Sequence, residues 1–179
     1  MSDRLWNARG FEIEIRNLRY SDSAIRLDKY AGVILAASVD IGRHEAEMVR
    51  FVKRHLPELN RMPAVFLSVT LSQAGVELIG ATPEQRALSA AGVQQILDRF
   101  YATTGWRPPL TKPVAGALRY TKYNFLVRFI MKRIARKSGG STDTSRDHEY
   151  TDWAALDRFA DAFAKELAAG ETGCRHRGD

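Results

Sequence analysis

Three nearly unbroken apolar runs constrain this chain more than any other feature: Gly32–Val39 (GVILAASV), Ala64–Leu71 (AVFLSVTL) and Pro113–Leu118 (PVAGAL). A strand covered on one face alternates apolar and polar residues. These runs do not alternate, so they are expected to be strands buried on both faces, as in a parallel sheet. Helical spacing appears between them. Met48, Phe51, Val52 and Leu56 mark one helix over Glu45–Leu56, which Pro57 ends. Thr82-Pro83-Glu84-Gln85 supplies an N-cap, a proline at the first helical position and a glutamine at the third, opening a helix to about Ala102. Upstream, Trp6–Ala8 reads as a last helical turn stopped by Gly10, and Phe11, Ile13 and Ile15 alternate with charged residues as a half-buried strand. Downstream come a basic amphipathic helix over Asn124–Lys137 and a polar loop over Gly139–Tyr150. A last helix is capped by Thr151, carries Trp153, Leu156, Phe159 and Phe163, and ends near Ala169; Trp153 and Trp106 are expected to anchor the core. Strands alternating with helices imply an α/β three-layer sandwich around a mostly parallel sheet. The 179 residues suit one domain over residues 1–169, with residues 170–179 as a flexible tail.

The net charge of +6 is unevenly placed. From Arg99 to Thr142 there is no acidic residue and there are ten basic ones, which leaves 17 basic residues against all 21 acidic ones elsewhere. Such a field attracts anions. No helix-turn-helix, RNA-binding or zinc signature accompanies it, so nucleic acid is not the expected partner. His44, His55, His148 and His176 lack metal-ligand spacing, and no metal is expected. Cys174 has no partner for a disulfide in the chain, which suits a reducing compartment. No apolar run reaches the ~18–20 residues of a membrane span, and no apolar signal segment follows Met1.

Ligands of open α/β sheets bind outside the carboxyl ends of the strands. Here those ends are Ser38-Val39-Asp40-Ile41-Gly42, Ser68-Val69-Thr70-Leu71-Ser72 and Gly116-Ala117-Leu118-Arg119-Tyr120. Small and hydroxyl side chains there leave main-chain groups open to a flat polar heterocycle. No side chain stands out as a general base, and the catalytic residue is left open.

The stretch from Gly116 to Trp153 is more specific. It holds a GALRY strand end (Gly116–Tyr120), the basic helix, a GG-x-TDT loop (Gly139–Thr144) and a YTDW helix start (Tyr150–Trp153). In this order they resemble the C-terminal half of the quinone-dependent protoporphyrinogen oxidases, a branch of the flavodoxin superfamily. Looser likeness at Ala37-Ser38 with Gly42, at Phe51-Val52-Lys53, at Ser68-Val69 and at Trp106-Arg107-Pro108 extends the resemblance from Phe11 to about Ala169. It implies strand order 2-1-3-4-5, with strand 1 missing because the chain begins near the end of the first helix, after the Ser/Thr-rich phosphate loop. It implies FMN at the strand ends, held by Ser38, Ser68, Val69, Thr70, Leu71, Gly116, Ala117, Leu118, Arg119 and Tyr120, with the Thr142-Asp143-Thr144 loop closing over the ring. It implies oxidation of protoporphyrinogen IX to protoporphyrin IX with electrons passed to a quinone, the substrate propionates meeting Arg119, Lys122 or Arg128. The expected location is the cytoplasm, with peripheral contact on the inner membrane through Asn124–Lys137. Two departures stand out: Asp40-Ile41 where the family commonly carries Arg-Tyr, and Ala36 in place of glycine. Two other readings remain: a flavodoxin-like electron carrier or quinone reductase with another substrate, and a degenerate member that no longer binds FMN. Oligomeric state is not legible.

Overall fold

The computed structural model describes residues 11–21, 25–118 and 148–175. The three apolar runs pair side by side. β1 (Val33–Asp40) turns into the short β2 (Arg43–His44), which folds back antiparallel on its end. β3 (Ala64–Thr70) lies parallel to β1, and β4 (Leu110–Ala115) lies parallel to β3, giving the order β2-β1-β3-β4. The register sets Ser38 beside Val69, and Thr70 beside Ala115, so the three parallel strands finish at one level. The third apolar run divides: β4 starts earlier than expected, at Leu110, and a separate β5 (Ala117–Leu118) follows Gly116. Pro113 is tolerated because β4 ends the described order, and proline belongs on sheet edges.

The central strand shows why its sequence lacks alternation. Ala64, Val65, Phe66, Leu67, Ser68 and Thr70 are all buried because both faces are covered. On one face, Leu35, Ala37 and Phe66 share a core with Met48, Phe51 and Val52 of α2 (Ala46–Arg54), with Leu59 of α3 (Leu56–Leu59), and with Val93, Leu97 and Phe100 of α5 (Pro83–Thr104). Trp106 is buried in the same core, as expected. On the other face, Leu67 and Val114 meet Leu156, while Ile34 meets Ala160 and Ala164; Leu156, Ala160 and Ala164 belong to α6 (Trp153–Arg175). Gly32 admits this helix to the sheet: a Cβ there would lie 2.6 Å from Leu167 Cδ2 and 3.0 Å from the Pro63 carbonyl oxygen.

Several expectations are corrected. Phe11–Ile15 has the burial pattern of a strand for two positions only: Phe11 and Ile13 pack against the Ala160–Ala164 cluster, as Ile34 does, but Ile15 is 76% exposed. The segment forms no strand, because a strand needs a ladder and no described strand runs beside it. A short helix α1 (Leu18–Ser21) comes next. The cap of α6 is Asp152, whose Oδ1 accepts from the Ala155 amide at 2.9 Å, whereas Thr151 donates its hydroxyl to the Ala115 carbonyl at 2.7 Å. Trp153 is 55% exposed, because the apolar stripe facing the sheet begins at Leu156. The helix runs on to Arg175, into the stretch expected to be a tail. Residues 1–10 and the Asn124–Lys137 helix lie outside the described residues.

Candidate site at the strand ends

The first wall of the rim is the β1–β2 hairpin. Val39 pairs with His44 and Asp40 with Arg43, leaving Ile41 and Gly42 as a two-residue turn. Both have positive φ, 46° and 72°, as a type I′ turn requires. That conformation suits Gly42 and opposes Ile41, where a β-branched side chain in the left-handed region costs roughly 1–2 kcal/mol. Ile41 is also 84% exposed, so burial does not repay the strain.

Four interactions hold the hairpin in place. His44, nearly buried, brings Nε2 to 2.8 Å from Ser68 Oγ on β3. Its ring lies 4.8 Å from Phe100 and 5.1 Å from Phe66, two rings that stack on each other at 4.4 Å. Arg99 Nη1 donates to the Gly42 carbonyl at 3.1 Å, and the Ser38 amide donates to Glu45 Oε2 at 3.4 Å. Burial pushes the His44 pKa down to about 4, so the imidazole is neutral at pH 7. One ring nitrogen then carries the proton, and the Ser68 hydroxyl takes the complementary role.

The second wall is the junction of β3 with α4 (Leu71–Glu77). Thr70 ends the strand in extended geometry, and its Oγ1 accepts from the Ser72 amide at 3.2 Å, starting the helix without a loop. The third wall continues from β4. At Gly116 a Cβ would lie 3.0 Å from Val69 Cγ1, so the two strand ends approach closely only because this residue is glycine. β5 pairs antiparallel with β6 (His148–Glu149), Ala117 opposite Glu149 and Leu118 opposite His148. Leu118 and His148 are therefore neighbours at the rim.

The fold thus assembles Ser38, Val69, Thr70, Leu71, Gly116, Ala117 and Leu118 at one end of the sheet. Ser68 is placed differently. It is fully buried and hydrogen-bonded to His44, so it supports the rim from beneath. Arg119, Tyr120, Lys122, Arg128, Thr142, Asp143 and Thr144 lie outside the described residues. Sequence reasoning missed His44, Arg99 and the hairpin itself. An Asn-Gly or Asp-Gly pair would have announced the turn; isoleucine in the first position hides it.

In kind, these residues fit the ring of a flavin. Small residues at neighbouring strand ends, such as Ser38 and Gly116, leave room for a flat heterocycle, and the exposed Ile41 stands at the tip of the adjoining hairpin. Among the described residues ahead of β1, no Ser/Thr-rich loop opens a helix.

A three-layer α/β fold with parallel strands ending at one rim defines a flavodoxin-like protein. The profile of one family, described as a flavodoxin domain, matches residues 2–145. Over 151 residues the chain is 32% identical to the protoporphyrinogen IX dehydrogenase [quinone] of Escherichia coli K12, covering 84% of this chain and 77% of that protein. Over the same length it is 34% identical to the protein of that name from Leishmania major, of which it spans 61%. The chain belongs to the flavodoxin-domain family, in the branch of the protoporphyrinogen IX dehydrogenases.

Proposed function

We propose that this protein is an FMN-dependent dehydrogenase that oxidises protoporphyrinogen IX to protoporphyrin IX and passes the electrons to a quinone. The observation that carries this reading is the identity with relatives of that name across 84% of the chain, spanning all three strand ends. The rim supports it, since main-chain groups around short side chains are what a neutral heterocycle needs.

Bound there, FMN would supply two-electron redox chemistry between the porphyrinogen and the quinone. The chain's own part is to bind and orient. Main-chain groups at Val69–Leu71 and Gly116–Leu118 hold the ring edge and favour negative charge on it, with the Ser38 side chain bordering it. Ser68 acts from beneath through His44. Arg119, Lys122 and Arg128 clamp the substrate propionates with charge-assisted hydrogen bonds. Tyr120 and the Thr142-Asp143-Thr144 loop border the ring. The basic, apolar stretch Asn124–Lys137 rests on anionic lipid, where each cation adds on the order of 1 kcal/mol, and so brings the site to a lipid-soluble quinone. No described helix is long and apolar enough to cross a membrane.

Purified protein titrated with FMN should bind it with one-to-one stoichiometry. Mixed anaerobically with protoporphyrinogen and a water-soluble quinone, it should form porphyrin fluorescence. A protein that binds FMN but oxidises only other donors would be an electron carrier or quinone reductase. One that ignores FMN at millimolar concentration would be a degenerate member, and the dehydrogenase reading would be withdrawn.

A further inference from the structure

We infer that His44 and Ser68 form a positioning pair: their buried hydrogen bond fixes the Asp40–Arg43 hairpin in the strained form that shapes one wall of the ligand rim. The reasoning starts from Ile41. A two-residue turn with a β-branched residue at φ 46° does not hold itself, because the residue prefers φ below zero and its exposed side chain contributes no packing. Such geometry persists only where the surroundings over-determine it. The surroundings here are His44, the residue opposite Val39 in the ladder, and what His44 touches.

The pair is built as an anchor and not as a nucleophile. Ser68 is fully buried and His44 is 7% exposed, so no substrate reaches either. The imidazole is enclosed by Phe66 and Phe100, and its Nε2 faces Ser68 Oγ. A neutral ring in an apolar sleeve with one hydroxyl partner has a single favourable orientation, and the hairpin must follow it. The charged groups around this position bond elsewhere: Arg99 of α5 to the Gly42 carbonyl, Glu45 to the Ser38 amide and to Arg19. Ser38 and Val69 stand side by side in the register, so a shift of the hairpin against β3 displaces the rim between them. The inference rests on the flavin reading only for the identity of the ligand.

The test uses the full chain with three variants. His44→Leu and Ser68→Ala remove the bond and keep an apolar interior, while His44→Gln keeps an amide N–H at similar reach. The first readout is hydrogen exchange of the Ile41–Glu45 amides without ligand. His44→Leu and Ser68→Ala should speed exchange there about tenfold at an unchanged rate in β3, and His44→Gln should restore most of the protection. The second is FMN affinity, expected to fall about tenfold in the first two variants and to recover in the third. Hairpin exchange that matches wild type in both His44→Leu and Ser68→Ala overturns the inference, as does faster exchange with unchanged FMN affinity. If wild-type protein binds no FMN, the flavin reading fails, and the exchange readout still decides the anchor. If His44→Leu does not fold, Ser68→Ala decides alone.

Discussion

His44 shows how one buried group couples the site to solution conditions. Its pKa is lowered to about 4 from an ordinary 6.5 because desolvation disfavours the charged ring. The unfolded chain therefore binds a proton at a pH where the folded chain does not. Stability rises with pH wherever the unfolded state holds more protons. The contribution is complete above pH 6.5, shrinks as pH falls from 6.5 towards 4, and is absent below. A shift of this size corresponds to on the order of 3 kcal/mol. Urea denaturation at about pH 7 and about pH 4.5 should show wild type losing more stability than His44→Gln, which has no proton to bind there. Equal losses in the two proteins would mean that the imidazole is more solvated than its surroundings indicate. The same residue marks a limit of sequence reading. A histidine at the foot of a short hairpin has no local signature, and Ser68 reads equally well as a ligand hydroxyl or as its partner. Only the pairing of strands, which brings residues 24 apart into contact, decides between them.

Among the elements, α5 is the one whose sequence declares it most fully. Thr82 Oγ1 accepts from the Gln85 amide at 3.3 Å, and Gln85 Oε1 accepts from the Thr82 amide at 2.9 Å, with Pro83 at the first turn. Thr82→Ala removes the first of these bonds and should cost about 1 kcal/mol, read as a lower urea midpoint with an unchanged slope. A change within error would mean that water replaces the cap at no cost. The three apolar runs are legible for the same kind of reason: burial on both faces writes itself into every position of a strand. Phe11–Ile15 misleads because alternation reports which side chains face inward and says nothing about a ladder partner. The cap of α6 lies one residue beyond Thr151 because Thr151 and Asp152 are both capping types, and the Ala115 carbonyl claims the threonine hydroxyl. Trp153 has the size of a core residue, yet it lies one position after the cap and short of the stripe that faces the sheet.

At the scale of the molecule, the second layer of helix is carried by the chain beyond His148, which joins the rim where β5 pairs with β6. The chain beyond His148 is held by more than this small ladder. Leu156 and Phe163 are buried on α6, Ala160 and Ala164 fit the sheet beneath them, and Thr151 is tied to β4. Two large apolar side chains contribute roughly 1.5–3 kcal/mol each when fully buried, enough with the alanines and the ladder for the helix to stay docked without covalent continuity. A specific protease site placed between Gly139 and Gly140 tests this. After cleavage the two fragments should elute together in gel filtration under native conditions. Their urea midpoint should rise with protein concentration, because unfolding then also separates two molecules. Fragments that separate without denaturant would mean that α6 is held mainly by its tether, and the face of the sheet formed by Ile34, Leu67 and Val114 would lose its cover.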